Sequence, residues 1–189
     1  NWVMDINLHA PIQFTRELLP VLLSRPEAHI LNMASISGLV AGGRFCAYHV
    51  SKFGLVGFSE AIRAEFGRQG LGVSAVCPGP VRTNLYRSAP CGHPNKETPT
   101  PPAWICASPK RVADKAIRAI RHDKRLVLVS PIAYTLYYAN RWSPGLLDFL
   151  QRIGRRRKMK RKAAALAAQN SQQRGLETQK DRESKTKAA

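Results

Sequence analysis

Two short stretches decide the fold of this 189-residue chain: residues 28–38, AHILNMASISG, and residues 47–52, AYHVSK. The first begins as an apolar strand and continues to Ser35, and the second places Tyr48 and Lys52 four positions apart. Residues four apart share one face of a helix, so an ammonium group is expected beside a phenol, where positive charge favours the phenolate. Such a tyrosine can act as acid or base, and a serine hydroxyl can hydrogen-bond the oxygen that exchanges the proton.

Strand and helix patterns alternate around these two stretches. The predicted elements, in chain order, are a helix at 4–23, a strand at 28–33, a helix at 48–66, a strand at 73–76, a helix at 111–120 and a strand at 125–129. This order predicts an α/β fold with a doubly wound parallel sheet and helices on both faces. Ligands of such sheets lie beyond the carboxyl ends of the strands, which is where Ser35 and the turn at 78–79 fall.

Four motifs in this order and at this spacing resemble the short-chain dehydrogenase/reductase family. They are residues 5–8, DINL; the strand 29–35; the helix of Tyr48 and Lys52; and residues 76–83, VCPGPVRT. The resemblance covers roughly residues 1–129. It implies a Rossmann-like fold and an NAD(P)-dependent oxidoreductase, which moves a hydride between the nicotinamide of NAD or NADP and a small-molecule carbonyl or secondary alcohol.

The resemblance also implies a role for each matching residue. Tyr48 would be the general acid/base, Lys52 would favour its phenolate and bind the nicotinamide ribose, and Ser35 would orient the substrate oxygen. Asn7 would complete the catalytic set by helping to hold a water that links the lysine to solvent. The residues that would pack against the nicotinamide and bond its carboxamide are Pro78, Gly79, Val81 and Thr83.

Without the family resemblance, the same residues have simpler structural interpretations. Asn7 would suit the start of a helix, Ser35 a turn at a strand end, and residues 78–79 an ordinary turn. Ser37 is predicted to be a loop residue. His49 is predicted to lie at a pocket rim or on the surface, because adjacent helical positions point in different directions and a proton relay with the preceding tyrosine is therefore disfavoured.

The sequence has no Gly-x-x-x-Gly-x-Gly phosphate loop, and it opens on Asn1 and Trp2. In the family, the first half of the fold supplies the glycine turn and helix N-terminus that hold the pyrophosphate. It also supplies the residue that selects NAD or NADP. The fold is therefore expected to be incomplete at the N-terminus, as a C-terminal part of a longer enzyme. A naturally shortened protein with another role is the alternative.

The cysteines and histidines predict neither a metal site nor a disulfide framework. The spacings between successive cysteines are 31, 14 and 15 residues, with no Cys-x-x-Cys pair, and the five histidines are scattered. Free thiols suit a reducing compartment, so a cytoplasmic protein is expected, with membrane association left open. The four cysteines are Cys46, Cys77, Cys91 and Cys106.

Residues 82–108 form a long proline-rich segment. A loop of this length is usually a lid or a mobile segment, and in the family the corresponding insertion covers the substrate. Tyr86, Trp104 and Ile105 could supply apolar walls for a substrate or could equally belong to the core.

After Val129 the chain combines an aromatic segment with a basic tail. Residues 131–151 are predicted to form a C-terminal helix that completes a domain of residues 1–151. Residues 152–189 contain 13 Lys+Arg and 3 Asp+Glu and so carry +10 of the net charge of +18. A segment this charged and this poor in apolar residues is expected to be disordered.

Three kinds of partner fit this C-terminal region. A helix packed at a subunit contact of a homo-oligomer, with a solvated tail, is slightly favoured. An aromatic and leucine-rich face followed by basic residues would also suit an anionic membrane surface. Basic tails bind nucleic-acid backbones too, but no recognition motif accompanies this one. The alternative function is therefore a non-catalytic remnant that binds membrane or nucleic acid through its tail.

Overall fold

The computed structural model describes residues 1–43, 45–83, 101–145, 148–149 and 152 of the chain. The described helices are α1 Trp2–Met4, α2 Ala10–Leu23, α3 Cys46–Phe66, α4 Pro109–Arg121 and α5 Pro131–Trp142. The described strands are β1 Ala28–Met33, β2 Leu71–Cys77 and β3 Leu126–Leu128. A π-helix, Asp5–His9, joins α1 to α2, and short 3-10 helices occupy Ile36–Gly38, Gly67–Gln69 and Ala103–Ile105.

The three described strands form a parallel sheet in the order β1-β2-β3. In the first pair Ala28 lies opposite Leu71 and Met33 opposite Val76. In the second pair the register runs from Ala75 with Leu126 to Cys77 with Leu128. The predicted α/β fold with a parallel sheet is thus confirmed.

Two apolar cores cover the sheet, and they use alternate residues of the same strands. Ala75 and Cys77 belong to a core that includes residues of α3 and α5. Val76, between them, belongs to a second core with Val112 and Ala119 of α4. Because successive side chains of a strand point to opposite faces, the two cores lie on opposite faces of the sheet. Helices therefore pack on both faces, as predicted.

The first helical segment differs from its prediction in two respects. Helical structure begins at Trp2, and the π-helix interrupts the expected α-helix. Within this interruption Leu8 lies against Gly54 of α3, so closely that a Cβ atom at Gly54 would be 2.8 Å from Leu8 Cδ2. Single π-turns occur often at functional sites, and this one contains Asn7.

The C-terminal segment predicted as one helix, 131–151, is only partly described. Helix α5 covers its first twelve residues, and Ser143 is not helical. Ser143 precedes Pro144, and the ring of a proline disfavours helical backbone in the residue before it. Residues 146–147, 150–151 and 153–189 lie outside the described residues, so the domain boundary at 151 and the disorder of the tail stay predictions. Farther along, Arg152 Nε bonds Asp148 Oδ2 at 2.9 Å.

A polar network ties the last turn of α3 to the start of β3. Arg63 donates two hydrogen bonds of 2.6 Å to the Asp123 carboxylate and one of 3.0 Å to Val73 O. This pairing lowers the pKa of Asp123 below its usual value. Ser74 Oγ donates its proton to Lys124 O at 2.6 Å. The contact of 2.9 Å between Ser74 Oγ and His29 is therefore one in which His29 Nε2 donates.

His29 makes the stability of this region dependent on pH. Burial lowers the pKa of His29 below 6.5, against a smaller opposing effect of Asp123. The unfolded chain then binds more protons than the folded chain in mildly acidic solution, so this contribution to stability is complete above the unfolded pKa and is lost as the pH falls through the folded pKa. We expect the free energy of unfolding to fall between about pH 7.5 and 5.5.

His29→Gln is the matched variant for this effect. Glutamine keeps an N–H donor for Ser74 and removes the titration, so chemical denaturation should give a smaller loss of stability over the same pH range. Asp123 stays ionised throughout, because its lowered pKa lies far below this range. Equal pH slopes in the wild type and the variant would remove His29 as the cause.

Candidate active site

The carboxyl ends of β1 and β2 are held side by side by backbone hydrogen bonds that continue past the strands. Ala34 N donates to Val76 O and Ile36 N donates to Pro78 O, each at 2.9 Å. The two segments expected to carry chemistry, around Ser35 and around residues 78–79, therefore meet at one edge of the sheet. This is the edge at which parallel α/β sheets bind ligands.

Ser35 lies immediately beyond β1 with an extended backbone, at φ −166° and ψ 160°. It caps the 3-10 helix Ile36–Gly38, because its Oγ accepts the backbone N–H of Ser37 at 3.1 Å. Because Ser35 Oγ is the acceptor in this bond, its own hydroxyl proton can still be donated to another group. The sequence predicted Ser37 as a simple loop residue, whereas the structure makes it a direct partner of the candidate serine.

Lys52 is the best-defined residue of the site. It lies on α3 with 9% of its surface exposed. Its Nζ donates to Met33 O, at the end of β1, at 2.9 Å and lies 5.9 Å from the centroid of the Tyr48 ring. Burial lowers its pKa below the usual value. The cation lies beside the phenol, as the four-residue spacing predicted, and the structure adds the end of β1 as a second neighbour.

Gly38 determines how closely the turn after β1 approaches α3. A Cβ atom at this position would lie 2.5 Å from the carbonyl oxygen of Lys52 and 3.1 Å from Val56 Cγ2. Only glycine allows this approach without displacing the helix backbone. The reasoning from sequence missed Gly38 because a glycine after a strand has the same appearance whether it forms a turn or a packing contact.

Asn7 lies partly buried in the π-helix Asp5–His9, which packs against α3. The π-turn was not expected from sequence, and a helix-initiating role is excluded because Asn7 lies five residues after the helix begins. Its role in holding a water stays a prediction.

The loop that follows β2 is held by two sets of contacts. Pro78 is buried, and a Cβ atom at Gly79 would lie 2.6 Å from Ser130 Oγ. Val81 forms a parallel bridge with Ala107, supported by Ala107 N donating to Pro80 O at 2.8 Å and Arg82 N to Ala107 O at 3.0 Å. Thr83 is exposed. The loop is thus fixed at its start, close to Ser35.

Cys77 is buried beneath this site, at the end of β2. Burial raises the pKa of its thiol to about 12, so it is a neutral core side chain. Cys46 is exposed and Cys106 is half-buried. In the part of the chain that the structure describes, no group of His, Cys, Asp and Glu side chains could hold a metal ion.

The proline-rich segment 82–108 is described only in part. Tyr86 and Cys91 lie outside the described residues. Trp104 is 87% exposed, so it is not a core residue, and Ile105 is half-buried. Among the described residues, no helix is long and apolar enough to cross a bilayer.

Comparison with known proteins identifies the fold and the family. A family model described as short chain dehydrogenase matches residues 1–91. A dehydrogenase/reductase SDR family protein 7-like of Drosophila melanogaster is 30% identical over 76% of this chain and 45% of its own length. A short chain dehydrogenase of Burkholderia cenocepacia, solved with NADP, superposes with a TM-score of 0.66 at 22% identity, covering 78% of this chain and 56% of that one.

A second solved relative, a short chain dehydrogenase/reductase of Burkholderia phymatum in complex with NAD, gives a TM-score of 0.62 at 23% identity, covering 77% of this chain and 58% of that one. The fold is a Rossmann-like parallel α/β sheet, and the chain belongs to the short-chain dehydrogenase/reductase family. It spans about half the length of the curated relatives that it matches.

Proposed function

We propose that the protein is an NAD(P)-dependent oxidoreductase that interconverts a small-molecule carbonyl and a secondary alcohol. The observation that carries this proposal is the placement of Lys52. Its buried ammonium group lies 5.9 Å from the Tyr48 ring centroid and donates to the strand end that leads to Ser35. Among the described residues no carboxylate pairs with Lys52, and a buried cation without such a partner is costly to maintain, so a purely structural lysine would gain little from this position.

The donor set at Lys52 fits a nicotinamide cofactor. An ammonium group has three N–H donors, and the bond to Met33 O uses one of them. The other two can donate to ribose hydroxyls, in line with the role implied for Lys52. The relatives of known structure were solved with NADP and with NAD, and either cofactor is therefore proposed here.

Each residue of the site then has a definite task. A nicotinamide cofactor held by Lys52 would supply or accept the hydride. Tyr48 donates its phenolic proton to the carbonyl oxygen during reduction and recovers it during oxidation, and the charge of Lys52 stabilises the phenolate between the two events. Ser35 Oγ donates a hydrogen bond to the same oxygen, whose negative charge grows in the transition state. Asn7 is proposed to support the lysine through a water.

The fixed loop after β2 supports the cofactor half of this proposal. Pro78 and Gly79 are held beside Ser35, and Val81 is bridged to Ala107. Backbone groups in a loop fixed in this way could bond a carboxamide, as proposed for residues 78–83.

A direct test is reduction of a panel of aldehydes and ketones with NADH and with NADPH. The polypeptide must contain the nucleotide-binding half of the fold, supplied by the coding sequence upstream of Asn1 or, where none is in frame, by the corresponding half of the Drosophila relative. We expect loss of reduced nicotinamide absorbance together with an equal amount of alcohol product. Binding of cofactor without turnover on any member of a broad panel would contradict the proposal.

The remaining predictions about partners rest on the C-terminal region. Homo-oligomer formation and peripheral contact with a membrane stay predictions. The alternative of a non-catalytic remnant depends on the tail 152–189, of which residues 153–189 lie outside the described residues. It is less favoured, because a module that binds through its tail gains nothing from Ser35, Tyr48 and Lys52 at one sheet edge.

A further inference from the structure

The His49 side chain makes two hydrogen bonds that could not be predicted from its position next to Tyr48 in the sequence. Its side chain projects from α3 and contacts the segment that follows Ser35. Its Nδ1 lies 2.9 Å from Ser37 O, and its Nε2 lies 3.1 Å from Gly42 N. A single imidazole of α3 thus bonds both ends of residues 37–42, and the place of His49 at a pocket rim or on the surface stays a prediction.

The two partners fix the tautomer of the ring. Gly42 N–H can only donate, so Nε2 accepts and carries no proton. The carbonyl of Ser37 can only accept, so Nδ1 carries the proton and donates it. His49 is therefore a neutral imidazole with its proton on Nδ1.

The bond to Ser37 continues to the candidate serine. The N–H of Ser37 donates to Ser35 Oγ at 3.1 Å, while the carbonyl of Ser37 accepts from His49. Ser37 thus accepts a hydrogen bond from His49 through its carbonyl and donates one to Ser35 Oγ through its N–H. A shift of Ser37 would move or weaken the bond that orients Ser35.

We propose that His49 is a positioning residue for Ser35, acting through Ser37, an inference that rests on the proposed function of the site. The imidazole holds Ser37 so that its N–H occupies one lone pair of Ser35 Oγ and the hydroxyl proton points away from that bond, toward the substrate oxygen. The bond to Gly42 serves a different purpose, since it holds the far end of the same segment.

Two substitutions separate the two bonds. In His49→Asn the amide N–H takes the place of Nδ1–H and can reach Ser37 O, but nothing accepts from Gly42. In His49→Gln the longer side chain brings an amide oxygen near the place of Nε2 and can accept from Gly42, but the donor to Ser37 is lost. His49→Ala removes both bonds. Val50→Asn and Val50→Gln, at an exposed position of the same helix, control for the helix propensity of the new residues.

Amide hydrogen exchange reports each bond without reference to activity. We expect the Ser37 amide to exchange faster in the Ala and Gln variants and to stay protected in the Asn variant. The Gly42 amide should exchange faster in the Ala and Asn variants and stay protected in the Gln variant. Any other pattern overturns the proposed bonding, whether or not the wild type shows turnover.

Turnover then tests the positioning itself, in the polypeptide that contains both halves of the fold. Displacement of a positioned group by about 1 Å can cost up to a hundredfold in rate, so kcat should fall about ten- to a hundredfold in the Ala and Gln variants. The Asn variant should keep most of its turnover, and the KM for cofactor should change little in all three. Equal kcat values in the Gln and Asn variants would overturn the proposal. Absence of wild-type turnover would instead refute the proposed function, with the exchange pattern still deciding the bonding.

Discussion

Tyr48→Phe should lower carbonyl turnover by about two to four powers of ten, because it removes the proton donor and keeps the ring. Phenylalanine fills the same volume on α3, and the bond of 2.9 Å from Lys52 Nζ to Met33 O does not involve the phenolic oxygen. Cofactor affinity should therefore stay close to that of the wild type. The measurement is single-turnover reduction of an accepted carbonyl, with cofactor binding followed separately by fluorescence.

Tyr134→Phe is the matched control for this prediction. Tyr134 lies on α5 and is 40% exposed, so the same chemical change there should leave both turnover and cofactor binding intact. Wild-type turnover in Tyr48→Phe would remove the phenol from the proposed mechanism. A loss of cofactor binding equal to the loss of turnover would instead indicate a packing defect.

The regular part of the fold could be predicted from local pattern. The apolar run at 28–33 matches β1 residue for residue, and the glycines at 67 and 70 mark the end of α3. Gly70 has a φ of +87°, a conformation that glycine adopts at little cost. Strand β2 extends beyond its predicted limits because the tertiary pairing with β1 begins at Leu71.

The contacts that shape the candidate site depend on tertiary structure. Tyr48 and Lys52 are separated by about one helical turn, and this spacing can be recognised from the sequence without a structure. The bonds of His49 to Ser37 and Gly42 cross from a helix to a loop, so no periodicity encodes them. The contact of Leu8, in the π-turn around Asn7, with Gly54 likewise joins residues far apart in the chain.

Gly38→Ala should lower the free energy of unfolding by about 1–3 kcal/mol, the usual cost of adding a methyl group where there is no space. The added Cβ atom would lie 2.5 Å from Lys52 O and 2.8 Å from Lys52 C. These are backbone atoms in the middle of α3, so they cannot rotate away. The turn or the helix must move instead, and the bond of 2.9 Å from Gly38 N to Ser35 O would be disturbed.

Gly57→Ala is the control for this substitution, because it makes the same change where there is space. Gly57 lies inside α3, and an added Cβ atom would meet nothing within 4 Å. Alanine is more favourable than glycine in a helix interior by about 1 kcal/mol, so this variant should be more stable than the wild type. Chemical denaturation of the two variants should therefore give shifts of opposite sign. If Gly38→Ala matched the wild type in stability, the turn after β1 could not lie as close to Lys52 as the structure places it, and the juxtaposition of Ser35 with Lys52 would lose its physical basis.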